Sequence, residues 1–219
     1  MQSVRIMAFY DGSFFMQGQI YFRYKEQRGW LSLRALHTLL EKYVAEKTGS
    51  PMEVTKVVEA HYYDGRATTN VADAAHLERE RDFEMALIGA GIVPHYLPLS
   101  EKPRTGPDQA YELAQKGVDV QLALDVLDFA HEDRFDVAAL VTGDGDFVPL
   151  VRKITAIGKH ALIAYFDFEQ WTDPRKMAHH ATHASKALLD AASYALNLNA
   201  LVQDAAWESE TKTLFFQPT

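Results

Sequence analysis

The chain reads as an α/β protein: a doubly wound, mainly parallel five-stranded sheet of order 3-2-1-4-5 flanked by helices. Three observations predict this. Short, continuous apolar runs recur along the sequence, each bounded by turn or break residues, as strands buried on both faces do. Segments with helical spacing alternate with them, which calls for a parallel sheet with helical crossovers. Right-handed crossovers then put the first and fourth strands side by side, where the winding reverses and ligands bind beyond the strand ends.

Residues 4–10 are apolar and β-prone and stop at Asp11-Gly12, a turn pair, so they form the first strand. Ser32 caps a helix running to about Lys47, with Leu33, Leu36, Leu39, Leu40, Tyr43 and Val44 at helical spacing. Gly49-Ser50-Pro51 breaks it, and the β-branched and aromatic stretch Val54 to Tyr63 is the second strand. Val71 to Ala90 is a long helix stopped by Gly91, and Ile92 to Leu97 is the third strand. The polar segment Pro98 to Pro107 reads as a mobile loop. A helix from Val118 to Ala130 leads into the fourth strand, Asp136 to Thr142. Asp146 caps a helix from Phe147 to Ile157, ended by Gly158, and His160 to Tyr165 is the fifth strand. Beyond Asp167 the pattern is less regular, with helical stretches around Ser185 to Ala192 and Leu198 to Ala206. The expected division is one domain over 1–166 and a partly helical extension over 167–219 packed on it.

The 219 residues suit one α/β domain. The absence of cysteine excludes disulfides, thiolate zinc sites, iron–sulfur clusters and cysteine nucleophiles. The formal net charge of −8 argues against tight, nonspecific binding of duplex nucleic acid. It leaves room for a metal-dependent nuclease, in which the ion supplies positive charge locally and many acids are ligands. The apolar run near the N-terminus is too short for a signal peptide or a membrane span, so the expectation is a cytoplasmic protein without a membrane partner.

The acidic residues carry the functional signal. Asp11 follows the first strand, and Asp144 and Asp146 follow the fourth, in Thr142-Gly143-Asp144-Gly145-Asp146-Phe147. Asp119 opens the helix that feeds the fourth strand. Taken singly, each has a structural explanation: a turn acid, an N-cap, a first-turn acid. Together they place carboxylates from three segments at one switch point. Like charges that close repel unless a cation or protons neutralise them. An oxygen-only donor set suits Mg²⁺ or Mn²⁺.

The segments Phe9-Tyr10-Asp11-Gly12-Ser13, Lys116-Gly117-Val118-Asp119-Val120 and Thr142-Gly143-Asp144-Gly145-Asp146-Phe147-Val148-Pro149-Leu150 resemble the signature of NYN domains, the LabA-like branch of the PIN-like nuclease superfamily. The resemblance covers residues 4–165 in the right order. It implies a PIN-like fold and Mg²⁺- or Mn²⁺-dependent hydrolysis of RNA. Asp11, Asp119, Asp144 and Asp146 fall on the family's acidic positions, with Asp125 a weaker candidate ligand. The family's first motif often carries Asn three residues after its Asp; here that position is Phe14.

Ser13, Lys116 and Thr142 are candidate contacts to substrate, each with a bland alternative: a turn hydroxyl, a solvated lysine, a strand-end bond. Arg66, Lys102, Arg104, Arg152 and Lys153 are candidates to steer RNA, and Tyr62 and Tyr63 to stack on bases. His179 and His183 have i, i+4 spacing but no third ligand, and read better as a polar helix surface than as a zinc pair. The alternative to an enzyme is a noncatalytic NYN-like module binding RNA or protein; a homodimer fits either. A dinucleotide-binding site would need a Gly-rich turn after the first strand, and a haloacid-dehalogenase phosphatase a second Asp where Ser13 stands. A response-regulator receiver would place an acid pair at the first strand, and its other motifs are missing.

Overall fold

The computed structural model describes residues 3–66, 74–103, 111–114, 117–173 and 178–217. Strand β1 (Val4–Asp11) runs straight into helix α1 (Gly12–Ile20), whose first turn is capped by Asp11. The expected turn at Asp11-Gly12 is therefore a helix start. A short β2 (Trp30–Leu31) follows, then α2 (Leu33–Thr48), capped by Ser32 and closed by Gly49 in the left-handed conformation. Next come β3 (Thr55–Arg66), α3 (Ala74–Gly89) and β4 (Ile92–Pro98). The segment expected as a loop after Pro98 instead begins with β5 (Ser100–Pro103), paired antiparallel with β6 (Tyr111–Ala114). Helix α4 (Val118–His131), β7 (Val137–Val141), α5 (Val148–Ala156) and β8 (His160–Tyr165) fall where the sequence places them.

The remainder adds a hairpin of β9 (Phe168–Asp173) and β10 (Ala178–Thr182), helix α6 (Lys186–Ala191), strand β11 (Tyr194–Asn197), helices α7 (Leu198–Gln203) and α8 (Glu208–Leu214), and β12 (Phe215–Phe216). The central sheet has six strands in the order β11-β8-β7-β1-β3-β4, every neighbouring pair parallel. The five expected strands take the expected order. The correction is β11, which joins the edge beyond β8 through four residue pairs, Tyr194 to Leu162 through Asn197 to Tyr165.

Alternation along β1 explains the layers. Ile6, Ala8 and Tyr10 face one core, with Phe14, Phe15, Leu36, Leu40 and Phe166; Met7 and Phe9 face the other, with Val126, Phe135, Leu150 and Ile154. All five β1 side chains are fully buried, each contributing about 1.5–3 kcal/mol of apolar transfer where the side chain is large. Such a strand cannot slip by one residue without exchanging both cores, so the position of Asp11 at its end is fixed. The pairing of Tyr10 with Val141 brings the end of β7 beside it.

At the other end of the same two strands the chain closes on charge. Arg5 donates from its backbone N–H and Nε to Asp136 Oδ2 at 2.8 and 3.1 Å, and from Nη2 to Oδ1 at 2.8 Å. Asp133 is bonded by both Arg5 and Lys159.

Candidate metal-binding and nuclease site

Asp11 is held from three sides. Its Oδ1 accepts the Phe14 N–H at 3.2 Å and the Ser13 hydroxyl at 3.0 Å; its Oδ2 accepts the Thr142 hydroxyl at 3.0 Å. Thr142 in turn accepts the N–H of Asp144 at 3.2 Å. The hydroxyl thus joins the ends of β1 and β7, beyond the strand-end bond the sequence suggested. Asp144 caps a 3₁₀ turn, Gly145–Phe147, by accepting the N–H of Asp146 at 2.9 Å. Asp119 sits in the first turn of α4.

The electrostatics bind these four residues into one group. Burial raises the Asp11 carboxyl above its ordinary value; hydrogen bonds from Phe14, Ser13 and Thr142 oppose this, and the charge of Asp144 adds to it. Asp119 is exposed, yet its carboxyl is also raised, first by partial desolvation and then by Asp11, Asp144 and Asp146. Among the described residues, no basic group figures in the causes acting on either acid. Among the described residues, no three acidic or histidine side chains are gathered closely enough to enclose an ion unaided. Carboxylates without a cation hold apart, and Mg²⁺ keeps several waters and takes one or two carboxylates directly. A loose, uncompensated, all-oxygen set of donors therefore fits a hard divalent ion.

Asp125 stands apart from this group: its carboxylate accepts the Tyr63 hydroxyl at 2.9 Å and the Gln121 amide at 2.7 Å. Lys116 and Arg104 lie outside the described residues, as does the side chain of Lys102. Tyr62 and Tyr63 are fully buried, so neither offers a face to a base; this corrects the stacking expectation. Arg66 is paired with Glu80 and Glu84 and lies over the Tyr96 ring. Arg152 and Lys153 are exposed on α5.

A pocket of about 240 Å³ opens beside Asp11 and Asp144, lined also by Ser13, Phe14, Gln17, Gly143 and residues Ala181, Thr182 and His183. A larger hollow of about 370 Å³ between α2 and α8 gathers no such chemistry; its Glu210 is paired with Lys42. The smaller pocket contains what sequence reasoning missed. His179 and His180 lie in strand β10, and His183 follows it, so the expected helix is a strand and its end. The turn after β10 rests on the acidic loop. The Ser185 N–H donates to the Gly143 carbonyl at 2.9 Å, and the Thr182 hydroxyl donates to Gln17 at 2.7 Å. A Cβ at Gly143 would stand 2.7 Å from the Phe14 ring and 3.1 Å from Ala184 Cα; one at Gly145 would stand 2.8 Å from the Ser185 hydroxyl. Glycine at both positions of Thr142-Gly143-Asp144-Gly145-Asp146 is what lets these segments close.

The model of the NYN domain family matches residues 7–199. This chain belongs to the NYN domain family. Its six-stranded parallel sheet is that of a PIN-like domain, and the match extends past β8 to include β11. No curated protein matches the chain. Among solved structures it is similar to the crystal structure of a protein of unknown function from Vibrio parahaemolyticus, at 21% identity and a TM-score of 0.52, covering 90% of this chain and 96% of that one. That likeness speaks for the fold alone. Within this NYN domain, Phe14 is buried, its ring 5.4 Å from that of Phe166. No helix among the described residues is long and apolar enough to cross a membrane.

Proposed function

We propose that this NYN domain is a divalent-metal-dependent ribonuclease that hydrolyses RNA phosphodiester bonds at the crevice between β1, β7 and α4. One observation carries the reading: Asp11, Asp119, Asp144 and Asp146 act on one another from three segments, and no basic partner among the described residues acts on Asp11 or Asp119. Such an arrangement costs stability and is worth keeping only where a cation completes it. Asp11, Asp119, Asp144 and Asp146 would hold Mg²⁺ or Mn²⁺. When bound, the ion makes a water nucleophilic near neutral pH and offsets charge on the phosphate. The Ser13, Phe14 and Thr142 bonds fix the Asp11 carboxylate, and Thr142 carries that order to Asp144. Exposed Ser13 stands at the mouth, where its hydroxyl can meet a phosphate.

The test is cleavage of single-stranded RNA in Mn²⁺, stopped by EDTA. Asp144→Asn and Asp119→Asn should each reduce kcat/KM by about 100-fold or more, since a metal contributes several kcal/mol at the transition state. Mn²⁺ should raise the melting temperature of the parent and not of Asp144→Asn. Undiminished cleavage by either variant would remove that residue from the site.

A second reading has one observation in its favour: buried Phe14 occupies the position where the family often places an Asn amide. The domain would then bind RNA or protein without cutting. Absence of cleavage in Mn²⁺, with RNA retained equally by parent and Asp144→Asn, would select it.

A further inference from the structure

We infer that His183 is a catalytic residue of this site, giving a proton to the ribose oxygen that leaves when the phosphodiester is cut. The inference rests on the ribonuclease reading and assigns a role that the four carboxylates cannot fill. An oxygen leaving phosphorus departs as a strong base, and a positioned acid removes that penalty. Ionised carboxylates have no proton to give. Among the described residues lining the pocket, His183 is the only imidazole, a group whose ring nitrogens can each carry and give a proton.

Three observations place it. His183 lines the same pocket as Asp11 and Asp144. Its Nδ1 is 2.8 Å from Oδ1 of Asp167, while the side chain stays 57% exposed. A carboxylate on one ring nitrogen fixes the ring's orientation and leaves Nε2 for substrate, as in other Asp–His pairs. The turn that carries it is also fastened to the acidic loop through Ser185 and Gly143, and to α1 through Thr182 and Gln17. His183 therefore keeps station with the carboxylates, although 37 or more residues separate it from them in sequence. The groups facing it are Asp167, which holds the ring, the carboxylates Asp11 and Asp144 across the pocket, and neutral Gln17 and Thr182.

The step balances without a further reactant. The water oxygen bonds to phosphorus and loses its proton to solvent. The bond from phosphorus to the leaving ribose oxygen breaks, and that oxygen's electron pair takes the proton from Nε2. Solvent then reprotonates the ring.

The experiment compares the full chain with His183→Gln and His183→Ala in Mn²⁺. Three RNAs are used: an ordinary strand, one with sulfur in place of the bridging oxygen on the 3′ side of one linkage, and one with it on the 5′ side. A thiolate leaves without needing a proton. His183→Gln should lower kcat on the ordinary strand by about 100- to 1,000-fold with KM little changed. It should cut one of the sulfur strands at close to the parent rate. The Mn²⁺-induced rise in melting temperature should match the parent's, which separates a proton donor from a metal ligand. Equal kcat on the ordinary strand, or the same deficit on both sulfur strands, would overturn the assignment; so would a lost Mn²⁺ response. If the parent cuts no RNA at all, the ribonuclease reading fails and this inference falls with it. Parent cleavage with undiminished variants would sink the inference alone.

Discussion

Strands β1 and β7 carry acids at both ends, and the two ends treat them in opposite ways. At the N-terminal end of the pair, Asp136 and Asp133 face Arg5 and Lys159. Burial alone would raise the Asp136 carboxyl, but hydrogen bonds and charge from Arg5 win and hold it below the ordinary range; bonding by Lys159 does the same for Asp133. At the C-terminal end, Asp11 and Asp119 lie above the ordinary range, and the described groups acting on them are one another, Asp144, Asp146 and a few hydroxyl and N–H donors. The strands and the sheet are the same, so charge compensation, not the number of acids, separates a structural end from a functional one. An acid that the fold has paired stabilises the fold; an acid left unpaired beside others is held for something not in the chain.

The largest expected effect on stability tests the wall of the unpaired end. Phe14 is buried against Phe166 and over Gly143. Replacing it with Asn should cost about 2–4 kcal/mol, from lost packing and a buried amide. RNA cleavage should not increase. Urea unfolding and a cleavage rate measured on the folded fraction check both halves. A variant as stable as the parent and faster on RNA would mean that the missing amide had been limiting, and that this wall is functional, not packing.

How much of this was legible follows the same division. The buried strands announce themselves, because residues such as Val137 to Val141 form unbroken apolar runs that only a sheet covered on both faces accommodates. The acids at their ends could be named for the same reason. Helix α1 was hidden: Gly12 to Ile20 has two glycines, no charged residue and no separation of polar from apolar faces, and its cap is the same Asp11 that reads as a turn. Strand β11 was hidden because four residues at a sheet edge carry too little pattern to be distinguished from coil. His183 was hidden by topology. Its role depends on a hairpin folding back over Gly143 and Gly145, and no local periodicity records a contact between segments so far apart.

A smaller effect is expected at the paired end. Arg5→Ala should cost about 1–2 kcal/mol, the range for a bidentate, charge-assisted pair discounted for its partial exposure. Cleavage by the folded protein and its Mn²⁺ response should be unchanged, since the pair lies at the opposite end of the strands. The sign with pH follows from the depressed Asp136 carboxyl. Its contribution is complete above the ordinary carboxylate value, about 3.9, and is lost as the pH falls through its lower folded-state value. Asp136→Asn should therefore be less stable than the parent at neutral pH, and the gap should narrow in strong acid. Urea midpoints across that window check it. A gap that widens in acid would contradict the compensated reading of this end.

The smallest effect has the opposite sign and tests the comparison most directly. Asp119 accepts no hydrogen bond among the described residues, so Asp119→Asn removes charge without breaking a cap, as Asp11→Asn would. Two influences compete at this position. The first turn of α4 favours a negative charge by about 0.3–1 kcal/mol. Desolvation and three neighbouring acids disfavour it, and they prevail, because the folded-state carboxyl is raised. An acid whose value rises on folding destabilises the fold once the pH exceeds its unfolded value, and a neutral amide removes that cost. In EDTA at neutral pH, Asp119→Asn should thus be more stable than the parent, by at most about 1 kcal/mol because Asp119 is solvent-screened. Adding Mn²⁺ should reverse the order: the parent gains stability from the ion and the variant gains less. Melting curves with and without the metal decide it. A variant less stable than the parent in EDTA would show the acids at this end to be compensated after all, and the two ends of the sheet to be alike.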